Sequence, residues 1–358
     1  MKRIYALLLI ILLLATSLFG CAKDKESPLT SNIITKEDAG LIMHFIDVGQ
    51  GDSTLIESKG EFALIDGGEY SERNKVISYL SSQGVDELEF IISTHPHSDH
   101  CGGLSEVIRN FNTKSLICPK VDTDSNAWEY VLDVADERGV EYITPAPNDK
   151  FNLGSATITI YSPDIHSIYS NLNDYSVVCK AEYGNTSFLL TGDAEKIVEN
   201  ELLRSGYDLS ADILKCGHHG SSTSSDKKFV EAVNPAAAII SCGKNNDYGH
   251  PHEETLSTLS KLNIPVYRTD KEGTICVSTN GEKLYISTNE YSTLPVSTAA
   301  ETIAEAENAS YIGNKNSKVF HESICSSVNS MSDKNKISFA SREEAESEGY
   351  TPCGRCKP

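Results

Sequence analysis

The sequence carries little positive charge for its length. Lysine and arginine number 31 against 51 aspartates and glutamates, so the formal net charge of the 358 residues is −20. This balance argues against broad electrostatic attraction to nucleic acid or to anionic lipid. It does not exclude a phosphate substrate, because bound metal ions can be the largest local charges in a site.

The apolar run at the N-terminus is too short for a comfortable membrane span. It covers residues 4–19, follows Lys2 and Arg3, and ends in Leu-Phe-Gly before Cys21. The pattern is typical of a signal peptide over residues 1–20, and its ending resembles the lipobox of bacterial lipoproteins. That resemblance implies a lipid on Cys21, a tether over residues 21–39 and a location outside the cytoplasmic membrane. An ordinary signal peptide or an uncleaved anchor is the alternative.

Residues 91–103 bring four metal-capable side chains into six positions. They are His95, His97, Asp99 and His100, and two glycines follow at once. The pattern predicts a buried strand that ends at a tight loop, with the loop side chains turned to one centre. Imidazole and carboxylate groups are the usual ligands of zinc and comparable divalent ions. We therefore predict a metal site; a polar loop with hydrogen-bonded histidines is the alternative.

This H-x-H-x-D-H order resembles the signature of the metallo-β-lactamase superfamily. The fold class is then α/β, and hairpin-rich halves separated by helices suggest an αββα sandwich over residues 40–288, with two sheets face to face. Residues 289–310 are rich in Ser, Thr, Ala and Glu and predict a linker. Residues 311–358 predict a separate small module.

The resemblance implies roles for residues elsewhere in the chain. Asp193, in Leu-Leu-Thr-Gly-Asp, matches a carboxylate that can bridge two ions, although a helix-cap aspartate is the alternative. His218 and His219 share the loop Gly-His-His-Gly-Ser; one is expected to bind metal and the other to face the substrate, and the spacing does not say which. Carboxylates that support the ligands without binding metal are expected at Asp47, Asp52 and Asp66.

The same resemblance implies one or two ions, which would lower the pKa of a bound water and polarise the electrophile. One ion would be held by Asp99, His100, Asp193 and a histidine of the 218–219 pair, and the other by His95, His97 and Asp193. The residues expected to take part in catalysis are Asp99, His218, His219 and His250. His250 precedes a proline and could contact a phosphate oxygen or give a proton; a surface-loop histidine is the alternative.

The third histidine that is usual in the superfamily has no clear counterpart here. The corresponding stretch begins at Asn173 and reads Asn-Asp-Tyr-Ser. Together with Phe-Ile-Asp-Val-Gly-Gln-Gly-Asp-Ser and Tyr-Gly-His-Pro, this departure resembles the soluble domain of competence DNA-uptake channel proteins. The membrane channel of that family has no match in residues 41–288, so only hydrolysis is implied. Manganese is as plausible as zinc for an oxygen-rich site.

The C-terminal module carries a second metal pattern. His321 and Cys325 precede the pair Cys353 and Cys356, a set that suits a closed tetrahedral structural zinc. The surrounding sequence resembles the metal-binding domain of the Ada DNA-repair methyltransferase, in which a cysteine that accepts the methyl group stands where His321 is found. Methyl transfer is therefore not expected. A disulfide between Cys353 and Cys356 is the alternative.

Three functions are compatible with these features. The first is a membrane-anchored phosphodiesterase or nuclease that acts on DNA, and the second is a superfamily hydrolase of a lactam, lactone or thioester. The third is a non-catalytic nucleic-acid-binding lipoprotein, which the complete set of metal residues opposes. We expect the first, with one or two zinc or manganese ions in the hydrolase site and the membrane and DNA as partners; no protein partner is inferred.

Overall fold

The computed structural model describes residues 27–288 and, in the C-terminal part, residues 311–322, 325, 328, 331, 335–339, 341–353 and 356. The chain divides into two compact units, Met1–Ser292 and Thr293–Pro358. The predicted signal peptide, the predicted lipidation site Cys21 and the predicted linker lie outside the described residues. No helix among the described residues is long and apolar enough to cross a membrane.

The first unit alternates strands and helices along the chain. Its strands are β1 Leu41–Phe45, β2 Thr54–Ser58, β3 Glu61–Ile65, β4 Glu87–Leu88, β5 Phe90–Ile92, β6 Asn112–Thr113, β7 Ser115–Ile117, β8 Glu141–Ile143, β9 Lys150–Leu153, β10 Ala156–Ser162, β11 Val178–Tyr183, β12 Thr186–Leu190, β13 Ile213–Lys215, β14 Ala237–Ile240, β15 Val266–Arg268, β16 Ile275–Thr279 and β17 Leu284–Thr288.

Its helices are α1 Arg73–Ser82, α2 Ser98–Cys101, α3 Leu104–Asn110, α4 Asn126–Arg138, α5 Lys196–Ser205, α6 Lys227–Val233, α7 Glu253–Lys261 and α8 Thr269–Glu272. Short 3₁₀ turns occupy Tyr70–Glu72, Leu172–Tyr175 and Gly217–Gly220. One helix has clear sequence signals at both of its ends. Ser125 accepts a hydrogen bond from the backbone of Trp128 at the start of α4, and Gly139 ends that helix with a left-handed backbone.

Two large sheets form the middle of this unit. One has eight strands in the order β17-β16-β1-β2-β3-β5-β7-β8, and the other has seven in the order β15-β14-β13-β12-β11-β10-β9. Apolar side chains from both sheets form one buried cluster, which includes Met43, Ile92, Phe188 and Ile239. The sheets therefore pack face to face.

Helices cover the outer face of each sheet. Because side chains alternate along a strand, Leu64 and Ile91 turn away from the inter-sheet core and join a second cluster with Val76 of α1 and Val131 of α4. A third cluster combines strands of the seven-stranded sheet with α5, α6 and α7. The αββα arrangement predicted from the sequence is confirmed.

The second unit contains a four-stranded sheet and a short helix. Its elements are β18 Tyr311–Asn314, β19 Val319–Glu322, β20 Lys336–Phe339, α9 Arg342–Ser347 and β21 Thr351–Pro352, with the strand order β20-β18-β19-β21. A small core contains Phe320, Phe339, Ala345 and Tyr350. Such a core is too small to supply much folding free energy by itself.

Candidate metal centre

Parallel strand pairs bring the predicted metal residues to the ends of neighbouring strands. In the eight-stranded sheet β3 pairs in parallel with β5, so Asp66 and residues 93–97 leave the sheet side by side. In the seven-stranded sheet β12 pairs in parallel with β13, so Asp193 and the loop of residues 217–220 do the same. Carboxyl ends of parallel strands are a usual place for ligand sites.

Asp66 holds the metal loop in position. Its Oδ1 accepts a hydrogen bond of 2.8 Å from the Thr94 amide and its Oδ2 accepts one of 2.7 Å from the Thr94 hydroxyl. The same Oδ2 lies 2.8 Å from His100 Nδ1. With Nδ1 engaged in this way, His100 presents its Nε2 to the centre. Burial raises the pKa of Asp66, and the neighbouring His100 opposes that rise.

The Asp193 carboxylate is surrounded by imidazole nitrogens. Its Oδ1 lies 3.2 Å from His100 Nε2, and its Oδ2 lies 3.5 Å from His219 Nε2 and 4.0 Å from His95 Nε2. Burial opposes ionisation of this carboxyl, but His100 and His219 lower its pKa well below the ordinary value. A buried anion among imidazoles suits a divalent cation.

The two adjacent histidines of the 217–220 turn face different surroundings. Both have a left-handed backbone, with φ of 51° for His218 and 54° for His219. His219 is 1% exposed, and its Nε2 lies 3.2 Å from Asp99 Oδ2. The His218 side chain is 23% exposed; its Nε2 lies 3.8 Å from Asp193 Oδ2 and its Nδ1 lies 3.2 Å from Glu195 Oε1. His219 is thus the inner histidine and His218 borders the opening.

Asp52 lies at the inner end of the cluster and is paired with a lysine. Lys215 Nζ lies 2.6 Å from Asp52 Oδ2, while Asp52 Oδ1 lies 3.4 Å from His219 Nδ1. Burial would raise the pKa of Asp52, but Lys215 and His219 lower it strongly. Asp52 was predicted to support the ligands, whereas the role of Lys215 was not foreseen from the sequence.

His95 and His97 form a second pair beside the first cluster. His95 Nε2 lies 3.0 Å from His97 Nδ1. On its other side His95 Nδ1 is 3.4 Å from the Ser176 hydroxyl, which also accepts a hydrogen bond of 3.0 Å from the Asp193 amide. Asn173 approaches the site as well, with Nδ2 3.4 Å from either ring nitrogen of His218. A serine and an asparagine thus occupy the region of the absent third histidine.

The residues present fit a divalent ion. Asp52, His100, Asp193 and His219 each offer a ligand atom, and these four atoms lie within 4.8 Å of one another. Three buried atoms of these residues, His100 Nε2, Asp193 Oδ1 and Asp52 Oδ1, have no hydrogen-bond partner in the described structure. Buried polar atoms without partners are costly, and a shared cation would satisfy all three.

A pocket of about 270 Å³ leads to this centre, and its lining includes Asp99, His218, Tyr248 and His250. His250 is nearly buried, with its Nδ1 3.5 Å from Gln50 Nε2. Burial and the neighbouring histidines lower the pKa of His250 to about 4. Its imidazole is therefore neutral near pH 7 and can exchange hydrogen bonds with a substrate.

Asp47 lies in a turn rather than among the ligands. Its Oδ1 accepts a hydrogen bond of 3.0 Å from the Gly49 amide, and its own amide donates one of 3.1 Å to Thr274. Side chains not foreseen at the site are Gln50, Ser98, Lys215 and Tyr248. Gln50 belongs to the motif Phe-Ile-Asp-Val-Gly-Gln-Gly-Asp-Ser and Tyr248 to the motif Tyr-Gly-His-Pro, so these two motifs could have indicated them.

The C-terminal unit brings its predicted ligands together. His321, Cys325, Cys353 and Cys356 offer ligand atoms that all lie within 4.8 Å of one another. None of the described cysteines forms a disulfide, and this includes Cys353 and Cys356. Buried His321 Nδ1 has no hydrogen-bond partner among the described residues, which fits a closed zinc site with three thiolates and one imidazole.

Comparison with known protein families finds a match for each of the two units. A family model described as "Metallo-beta-lactamase superfamily" matches residues 46–244, and one described as "Metal binding domain of Ada" matches residues 298–358. Both resemblances inferred from the sequence are confirmed.

Three curated proteins resemble the chain over about two thirds of its length. ComE operon protein 3 of Bacillus subtilis is 34% identical over 64% of this chain and 32% of its own length. Recombination protein 2 of Haemophilus influenzae is 31% identical, over 67% and 29%. Competence protein ComA of Neisseria gonorrhoeae is 28% identical, over 64% and 31%. The chain therefore spans about a third of the length of these relatives.

Proposed function

The chain belongs to the metallo-beta-lactamase superfamily as a metal-dependent hydrolase related to competence proteins, and we propose that it hydrolyses phosphodiester bonds in DNA. The observation that carries this proposal is the cluster of Asp193, His100 and His219, which opens to a pocket bordered by the neutral imidazole of His250. A divalent ion in the cluster and the hydrogen-bonding imidazole of His250 at the opening would suit the charged oxygens of a phosphodiester.

Asp52, His100, Asp193 and His219 would hold a divalent ion, which when bound would supply Lewis-acid activation of water and of the phosphoryl group. Asp66 keeps His100 oriented through Nδ1, and Lys215 compensates the charge of Asp52. His95 and His97 would hold a second ion.

The pocket wall supplies the remaining contacts. His250 donates a hydrogen bond to a non-bridging phosphate oxygen, and Gln50 fixes the orientation of its ring. Asp99 lies on the pocket wall with Oδ2 close to His219, where it can accept a proton from the attacking water. These roles need neutral His250 and ionised Asp99, whose pKa is about 2 since His100 and His219 outweigh the effect of burial.

The relatives favour DNA as the substrate. Two carry "competence" or "recombination" in their names, and both words denote processes that handle DNA. Asn173 and Ser176, which occupy the region of the absent histidine, count against hydrolysis of a lactam or thioester. The domain boundaries and the zinc or manganese identity of the ions stay predictions.

The reaction is tested with a substrate panel on the full chain loaded with zinc, manganese or magnesium. The panel contains single- and double-stranded DNA, RNA, a nitrophenyl phosphodiester, a lactam, a lactone and a thioester. We expect cleavage of DNA that His97→Ala, Asp99→Ala and Asp193→Ala each reduce by orders of magnitude, while circular dichroism shows folded protein. If only the lactam, lactone or thioester is opened, the alternative hydrolase replaces this proposal; if nothing is cleaved but DNA is bound, the non-catalytic alternative holds.

The cellular location is a separate proposal. We propose that Cys21 is lipidated and anchors the hydrolase outside the cytoplasmic membrane, because the N-terminal sequence has the order of a signal peptide with a lipobox-like ending. Cells labelled with a tagged fatty acid should transfer the label to the wild type and not to Cys21→Ser. Equal labelling of the two proteins contradicts lipidation at this residue.

A further inference from the structure

We propose that the ring of Tyr248 is a stacking platform for an unpaired nucleobase beside the phosphodiester that is cleaved, so that the enzyme selects single-stranded nucleic acid. The inference rests on the proposed phosphodiesterase function and specifies the substrate class of the same site. It assigns a binding role to a side chain outside the predicted metal ligands and catalytic residues.

The first observation is an exposed aromatic ring at the pocket. Tyr248 is 67% exposed and yet lines the pocket that contains Asp193 and His219. Its ring stacks on His250, with centroids 5.6 Å apart and planes inclined by 21°. Because His250 covers one face, the opposite face is left for a planar ligand.

The second observation is that the loop carrying this ring is held by several hydrogen bonds. Asn246 accepts a hydrogen bond of 2.9 Å from the His250 amide and donates bonds of 2.7 and 2.9 Å to the carbonyls of His250 and Gly243. The carbonyl of Tyr248 lies 3.2 Å from His252 Nε2. A ring on a fixed loop loses little conformational entropy when a ligand stacks on it.

The third observation concerns charge. None of the described residues that line the pocket is a lysine or an arginine, and the whole chain carries a net charge of −20. Basic side chains supply most of the affinity of ordinary nucleic-acid-binding proteins. Here that source is absent at the pocket, whereas base–aromatic stacking adds affinity without charge and tolerates any base sequence.

The position of the ring also selects the form of the nucleic acid. The Tyr248 ring contacts His250, and the His250 ring in turn lies 6.1 Å from that of His219, so the platform adjoins the metal cluster. A base inside a duplex has both faces covered by its neighbours, so only an unpaired or end base can stack on the tyrosine. Single-stranded DNA or RNA fits this arrangement.

Steady-state kinetics with two oligonucleotides test the role in cleavage. One is a single-stranded DNA and the other has the same length with abasic residues throughout. With the full metal-loaded chain, Tyr248→Ala should raise KM for the normal strand by about tenfold or more, as expected for loss of one stacked base. Tyr248→Phe and Tyr248→Trp should stay close to the wild type, and cleavage of the abasic strand should be insensitive to all three substitutions.

Tyr130→Ala is the matched control, because Tyr130 is also a partly exposed tyrosine, on α4 and outside the pocket lining. If Tyr248→Ala behaves like Tyr130→Ala, or if it weakens the normal and abasic strands equally, the stacking role is overturned. A general loss of fold would lower kcat on both strands, which separates misfolding from loss of a base contact.

A binding measurement distinguishes this inference from the proposed reaction. The full chain in chelator, which prevents cleavage, is titrated into a strand containing 2-aminopurine, whose fluorescence falls when it stacks on an aromatic ring. Quenching by the wild type and not by Tyr248→Ala supports the platform even if no strand is cleaved with metal present. If DNA is cleaved but the quenching does not depend on Tyr248, the proposed function stands and the stacking role of Tyr248 is overturned.

Discussion

Lys215 and Asp52 form an ion pair inside the protein, with Nζ and Oδ2 2.6 Å apart and side chains only 3% and 6% exposed. Lys215 is the last residue of β13, in the middle of the seven-stranded sheet, and its Nζ also donates a hydrogen bond of 3.0 Å to the Cys216 carbonyl. The pair links the turn between β1 and β2 to the seven-stranded sheet, and Asp52 also contacts His219. A buried charge that loses its partner is strongly destabilising.

We predict that Lys215→Met lowers the free energy of unfolding by about 3–5 kcal/mol, because Asp52 is left as an uncompensated buried carboxylate. Denaturant unfolding should be followed in chelator, so that a bound ion cannot offset the loss. Adding Asp52→Asn to Lys215→Met should restore part of the stability. Lys227→Met, which breaks the exposed Lys227–Glu231 pair, should cost little; equal effects of Lys215→Met and Lys227→Met contradict the prediction.

The local parts of this fold and site can be predicted because their signals lie close together in sequence. His95, His97, Asp99 and His100 fall in one loop after a buried strand, and Asp66 directly follows another. The αββα layering follows from alternating apolar strands that are separated by helices. These features depend on short-range periodicity, which a single sequence contains.

The long-range pairings could not be predicted in the same way. Lys215 ends a short apolar strand and has the pattern of an ordinary strand terminus, and its partner Asp52 belongs to a distant turn. The sequence also left open which of His218 and His219 faces inward, because that depends on two successive left-handed backbone conformations. Likewise, β16 lies between β17 and β1 in the sheet. Nothing in the local sequence of β16 or β1 specifies that these two strands pair.

The role of Asp66 leads to a second prediction. Asp66→Asn should weaken metal binding by about 10- to 100-fold, because the charged partner that orients His100 is removed while the shape is kept. Competition with a chromophoric chelator measures the affinity. Asp47→Asn is the control, since Asp47 caps a turn through Gly49, and it should bind metal like the wild type. An unchanged affinity in Asp66→Asn rules out this supporting role.

The adjacent histidines should differ in what they contribute. His219 lies between Asp99 and Asp193 and is almost fully buried, so His219→Ala should remove metal from the site shared with His100. His218→Ala should retain that metal and lose turnover, because His218 borders the pocket and contacts Glu195. Metal content by mass spectrometry after gel filtration, measured beside kcat, distinguishes the two. The reverse pattern of metal loss assigns the ligand to His218 instead.

The C-terminal unit should depend on its own metal ion. Its apolar core is small, and a structural zinc contributes folding free energy directly. In the full chain, Cys353→Ser should lower the zinc content by one ion and speed proteolysis after residue 310, with residues 27–288 still protected. Cys118→Ser, which changes a buried cysteine of the first unit, is the control and should keep this zinc.

The same variants test the chemistry of that unit. With His321 in the position of a methyl-accepting cysteine, incubation with methylated DNA should add no methyl group to Cys325, Cys353 or Cys356. Mass spectrometry of the digested protein detects such an adduct. Thiol titration of the denatured protein, prepared without reductant, should find both Cys353 and Cys356 reduced, because their sulfurs are committed to the metal. A methyl adduct would contradict the expected absence of methyl transfer, and a Cys353–Cys356 disulfide in protein that lacks zinc would contradict the structural zinc site.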